Sequence, residues 1–133
     1  MSSIRKDTHQ AESSFRSPRE INLRVTRVRQ RWTARPHLWR PPTDVYETEI
    51  AYVVRVEIAG MQNAELNISL EGRMMAIHGE RGLQGERAAY HLMEVRFGEF
   101  LSLVELPGEA DASQVNATYD DGFLLVTIPK VGL

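Results

Sequence analysis

Residues 117–130 read ATYDDGFLLVTIPK. The stretch parses as a strand, an acidic turn on Asp120, Asp121 and Gly122, a second strand, and Pro129, which closes the run. Aspartate and glycine supply the backbone conformations a tight turn needs, and proline cannot donate to a following ladder. The same grammar extends upstream. Tyr52, Val54, Val56 and Ile58 alternate with Val53, Arg55 and Glu57, the period of a strand with one buried face, and Gly60 ends it. LNISL alternates again through Leu66, Ile68 and Leu70, Gly72 makes a turn, and MMAIHG stops at Gly79. YHLME, FLSLVELPG and VNATY follow as short runs. Short strands punctuated by turn residues, with no helical pattern after Trp39, predict an all-β, immunoglobulin-like antiparallel sandwich of seven to eight strands.

The 133 residues suffice for one domain with a sizeable core and fall short of two. With 42% hydrophobic and 26% charged residues and a net charge of −2, the chain has the make-up of a soluble globular protein. The charge is uneven. Residues 1–38 hold nine basic and three acidic side chains, a net of +6, which leaves −8 on the remainder. A basic arm beside an acidic body can meet nucleic acid or an acidic membrane, and equally the acidic body of another copy. The expectation is self-association or plain solvation, with neither nucleic acid nor membrane as a partner. The absence of cysteine excludes disulfides, thiolate metal sites and cysteine nucleophiles. The polar opening MSSIRKDTHQAESSFRS lacks a signal core, and no apolar run approaches membrane-spanning length, so a cytoplasmic location is expected.

The first sixteen or so residues are polar without apolar period and read as disordered. In SPRE, Ser17, Pro18 and Glu20 have capping-box spacing, and Ile21, Val25, Val28 and Trp32 follow at steps of four, three and four. The cap and this period predict a helix. Alternation of Ile21, Leu23 and Val25 is the competing strand reading. An apolar stripe on a short arm must bury on the body, on another subunit or on a client. The organisation expected is a basic, partly helical arm over 1–38, a sandwich over 39–130 and a short tail over 131–133.

Between Gly79 and Gly98 lie about twenty residues, long for a connection in a compact domain. AAYHLME in the middle has strand character. A strand carried on such an excursion rejoins its own sheet with difficulty, but it can pair with a neighbour's edge.

Ala117, Gly122 and Leu124 form A-x-x-x-x-G-x-L, and VTIPK continues it. With DVYETEIAYVVRVEIAGM, AELNISLEGRMMAIHGER and EVRFGEFLSLVELP, four segments in order over about residues 40–130 resemble the α-crystallin domain of small heat-shock proteins of the bacterial and plant type. Val95 and Ser102 stand where that family usually has arginines that help fix its dimer, and Asp121 and Phe123 fall where Asn-Gly-Val is usual.

The resemblance implies an ATP-independent holdase that binds unfolding proteins through exposed apolar surface. It implies a client and tail groove at Leu66, Ile68, Leu70, Val115 and Ala117, and an exchanged dimerisation strand at Tyr90, Leu92 and Met93. Phe15, Val25, Val28, Trp32 and Trp39 are candidates for client contact or assembly, and Val131 and Leu133 have the spacing of a docking tail. The alternating groove residues read equally well as plain core.

No enzyme is expected, and no cofactor. His9, His37, His78 and His91 lack metal-ligand spacing, and only His78 and His91 could meet across strands. GERGLQG has neither the lysine nor the strand-to-helix context of a phosphate loop. Asp120 and Asp121 sit in a turn rather than forming a catalytic pair. The alternative is a CS-type co-chaperone or adaptor sandwich that binds one folded partner.

Overall fold

The structure, a computed structural model, describes residues 38–61, 65–82 and 88–132 in full, and the backbone of residues 13–16 and 22–26. The described residues form nine strands: β1 (Ser13–Arg16), β2 (Asn22–Thr26), β3 (Thr43–Glu47), β4 (Ala51–Glu57), β5 (Glu65–Glu71), β6 (Met74–Arg81), β7 (Gly98–Glu105), β8 (Asn116–Asp120) and β9 (Phe123–Pro129). They form two sheets, ordered β1-β2-β5-β6-β7 and β3-β4-β9-β8. Strands β3 to β9 make the sandwich. The only helical element among the described residues is a single 3-10 turn at Ala112–Gln114, which Asp111 caps by accepting from the Ser113 amide at 2.9 Å.

Period-two patterning decides which side chains meet between the sheets. Tyr52, Val54 and Val56 of β4 and Leu124, Val126 and Ile128 of β9 face Leu66, Ile68 and Leu70 of β5 and Met75 and Ile77 of β6, all in one buried cluster. Val53 lies on the opposite face from Val54, yet only 6% of its surface is accessible. Its register partners Tyr46 and Thr127 flank it there.

The 117–130 hairpin forms as its sequence suggests. Asp120 pairs with Phe123, leaving Asp121 and Gly122 as a two-residue loop with φ of 51° and 82°. Two positive φ values in succession match the twist of the flanking strands, which is why Asp-Gly stands there. The Gly122 carbonyl accepts from the Ile58 amide at 2.8 Å, and a Cβ at residue 122 would come within 3.2 Å of the Ala59 Cβ. The hairpin tip is thereby seated on the end of β4.

Two expectations need correction. The described part of the arm is strand, not helix: β1 and β2 pair antiparallel, and β2 lies parallel to β5, with Leu23 level with Leu66 and Val25 with Ile68. The alternating reading wins because the unpaired edge of β5 offers backbone partners that a helix could not use. Strand β1 also places residues 13–16 in a ladder where disorder was expected. The capping box at Ser17–Glu20, together with Val28 and Trp32, lies outside the described residues. Residues 88–97, including Tyr90, Leu92 and Met93, form no strand within the chain.

Candidate functional site

Exposed apolar side chains cluster on the excursion and occur on strand β3, with Ile50, Met74, Phe123 and Val131 exposed singly elsewhere. On the excursion, Tyr90, Leu92, Met93 and Val95 are all exposed, Leu92 to 75%. On β3, Val45 and Tyr46 are exposed. Strand β3 is the terminal strand of its sheet, hydrogen-bonded to β4 on one side. An edge strand with apolar side chains and a spare row of backbone groups is suited to accept another extended segment. Sequence patterning did not find Val45 and Tyr46, because edge status follows from topology and leaves no mark on alternation.

The groove candidates lie elsewhere. Leu66, Ile68, Leu70, Val115 and Ala117 are all buried and belong to the core. Their alternation points them into the space between the sheets, and the backbone edge of β5 above them is already paired with β2. What remains accessible there is a depression of about 370 Å³ lined by Leu70, Glu71, Gly72, Glu109, Ala110 and Ala112.

Trp39 is also not a free contact. It is 8% accessible, packs with its ring centroid 5.5 Å from that of Phe100, and donates its indole N–H to the Gly98 carbonyl at 3.1 Å. Its backbone forms a short parallel bridge beside β7, donating to Glu99 and accepting from Leu101. Trp39 is the first core residue of the sandwich and not the last apolar residue of the arm. Val131 is exposed, next to a depression of about 730 Å³ that it lines with Ile50, Ala110 and Lys130 among others. Leu133 lies outside the described residues, as do the side chains of Phe15 and Val25.

Arg81 is a residue that sequence reasoning missed. Its guanidinium carbon stands 4.6 Å from the Trp39 ring centroid and 5.7 Å from that of Phe97, and its nitrogens donate to the carbonyls of Arg96 and Ala59. Partners so far apart in sequence become neighbours only once the β6–β7 register is known.

Among the described residues no cluster of histidine and carboxylates could hold a metal ion. His78 lines a depression of about 420 Å³ with Glu65, Glu80 and Glu99. Burial lowers its pKa from the ordinary histidine value, and the Glu99 charge opposes that shift. No helix among the described residues is long and apolar enough to cross a membrane.

The Hsp20/alpha crystallin family model matches residues 44–132. "Small heat shock protein C2" of Rickettsia felis is 30% identical over 92 residues, covering 68% of this chain and 60% of that protein. The "17.7 kDa class II heat shock protein" of Arabidopsis thaliana is 34% identical over 94 residues, with the same coverage of 68% and 60%. This chain thus spans 60% of the length of these relatives. Among solved structures, hspA from Xanthomonas axonopodis superposes with a TM-score of 0.64 at 27% identity, over 70% of this chain and 95% of that one. The family match runs from within β3 to beyond the end of β9, across both sheets of the sandwich; the chain belongs to the Hsp20/alpha crystallin family.

Proposed function

We propose that this chain is an ATP-independent holdase of the cytoplasm. It binds unfolding proteins through apolar surface and keeps them from aggregating, with no catalytic chemistry, nucleic acid or membrane involved. The observation that carries the reading is the run of exposed apolar side chains Tyr90, Leu92, Met93 and Val95 along one short segment, with Val45 and Tyr46 exposed on the β3 edge. Contiguous apolar exposure marks an interaction surface.

The chain works as at least a dimer. The 88–97 segment of one copy adds to the free edge of β3 in another, and the exposed backbone of one satisfies that of the other. The arm over 1–38 supplies further apolar and basic surface to the domain over 39–130. The groove for extended apolar segments runs along the β5 edge above Leu66, Ile68, Leu70, Val115 and Ala117, which stay buried while β2 occupies it; the pairing of β2 along β5 supports this, since that edge accepts an added strand. Clients are recognised by apolar exposure and not by one sequence.

Size in solution tests the reading. Sedimentation of the full chain should give dimers or larger assemblies. A monomer at all concentrations would instead favour an adaptor that binds one folded partner, the CS-type alternative.

A further inference from the structure

We propose that Arg81 is a positioning residue that fixes where the excursion leaves and re-enters the domain, and that it joins this point to the root of the arm. The inference rests on the reading above, in which residues 88–97 pair with a second copy.

Arg81 ends β6 and stands opposite Gly98, the first residue of β7. The chain departs on the excursion just after Arg81 and returns through Arg96 and Phe97, so this side chain sits at the mouth. Nε donates to the Arg96 carbonyl at 2.9 Å, and Nη2 donates to the same oxygen. Nη1 reaches the Ala59 carbonyl at 3.2 Å, beyond the end of β4. The flat cation rests over Trp39, where the arm enters the sandwich, and faces Phe97 on the returning limb. Gly60, with φ of 76°, lies against it; a Cβ there would be 3.6 Å from the Arg81 Cδ.

None of these partners is a carboxylate. The cation is held by carbonyl dipoles and aromatic faces, so its role depends on the planar fork and not on charge neutralisation. Lysine would keep a cation over Trp39 but, with one nitrogen, could not serve both carbonyls in this geometry. The consequence for pairing is preorganisation. A segment whose root is already fixed loses less conformational freedom when it docks, and affinity rises without any new contact at the interface.

The Arg96 carbonyl gives a direct readout, because it belongs to the Arg96–Phe97 peptide bond that trypsin would cut. A protease must pull that carbonyl into its own site, away from Arg81. The test compares the full chain with Arg81→Lys and Arg81→Met by tryptic cleavage after Arg96, by dimer dissociation in sedimentation, and by Trp39 emission in a Trp32→Phe background.

Cleavage after Arg96 should rise about tenfold in both variants, and the dimer dissociation constant should rise about tenfold, a 1.4 kcal/mol change. Trp39 emission should shift more in Arg81→Met than in Arg81→Lys, while circular dichroism still reports a sandwich. Unchanged cleavage after Arg96 would overturn the clasp. Faster cleavage with an unchanged dissociation constant would overturn its positioning role. A dimer that survives Leu92→Pro would sink the pairing reading itself, and cleavage after Arg96 would still report separately on the clasp.

Discussion

Ser102 Oγ and Thr43 Oγ1 lie 2.7 Å apart and tie β7 to β3 across the edge of the sandwich. Thr43 also donates to the Pro41 carbonyl at 2.9 Å. A hydroxyl has one proton, so Ser102 is the donor in the shared bond and Thr43 its acceptor. Ser102 is fully buried. Thr43→Val therefore strands a buried donor, at about 1–3 kcal/mol, whereas Ser102→Ala removes the donor and leaves Thr43 bonded to Pro41, at about 1 kcal/mol. Denaturant unfolding of the two variants should rank Thr43→Val as the more damaging. The reverse order would mean the proton runs the other way.

That pair also marks what the sequence could reveal. Alternation along Tyr52–Ile58 and Leu66–Leu70 is a local signal, and it located the strands and the core directly. The Asp121-Gly122 turn was legible for the same reason, since two residues with positive φ need short-range chemistry. Burial of Ser102 was not legible, because its partner Thr43 lies 59 residues away. Trp39 reads as arm or domain with equal ease until its bridge to β7 is known. The arm misled for a physical reason: Ile21, Val25 and Val28 fit a helical stripe, but Leu23 and Val25 also fit a strand, and an unsatisfied sheet edge tips the balance. The exposed excursion was visible as an overlong connection, while the accepting edge on β3 required the strand order.

Tyr119 carries a buried hydroxyl that donates to the Ile58 carbonyl at 2.7 Å and accepts from the Met61 amide at 3.4 Å. Both partners lie in the turn that follows β4. Tyr119→Phe keeps the ring and orphans both groups, so a loss of about 1–3 kcal/mol is expected. For a sandwich of this size, each kcal/mol lowers Tm by about 4–8 °C. A thermal scan within 2 °C, roughly, of the parent would contradict the assignment.

His78 predicts a pH dependence. Its pKa is lowered on folding, chiefly by burial, with Glu99 working against the shift and Glu65 and Glu80 in the same depression. The unfolded chain therefore binds the proton more readily. Stability from this group is full above the ordinary histidine value of about 6.5 and declines as pH falls through it. Tm should drop between pH 7.5 and 5.5, roughly the histidine range, and His78→Gln should reduce that drop. An equal drop in both proteins would assign it to the carboxylates.

The arm and the domain should separate cleanly at one residue. Removing residues 1–38 should leave a folded sandwich, because Trp39 supplies the core contact with Phe100. Trp39→Ala in the full chain should cost about 3–5 kcal/mol as a large-to-small core change. Circular dichroism and thermal unfolding of the two proteins measure this contrast. A truncated chain that fails to fold would place the boundary earlier, within the strands that β1 and β2 add to β5.

The holdase reading is tested most directly by heating a thermolabile reporter enzyme alone and with this chain, without nucleotide, and following light scattering. The account predicts that scattering falls in proportion to the chain added, for reporters of unrelated sequence, and that removal of residues 1–38 weakens the effect. Scattering that stays at the level of the reporter alone, with the full chain folded and in molar excess, would contradict it.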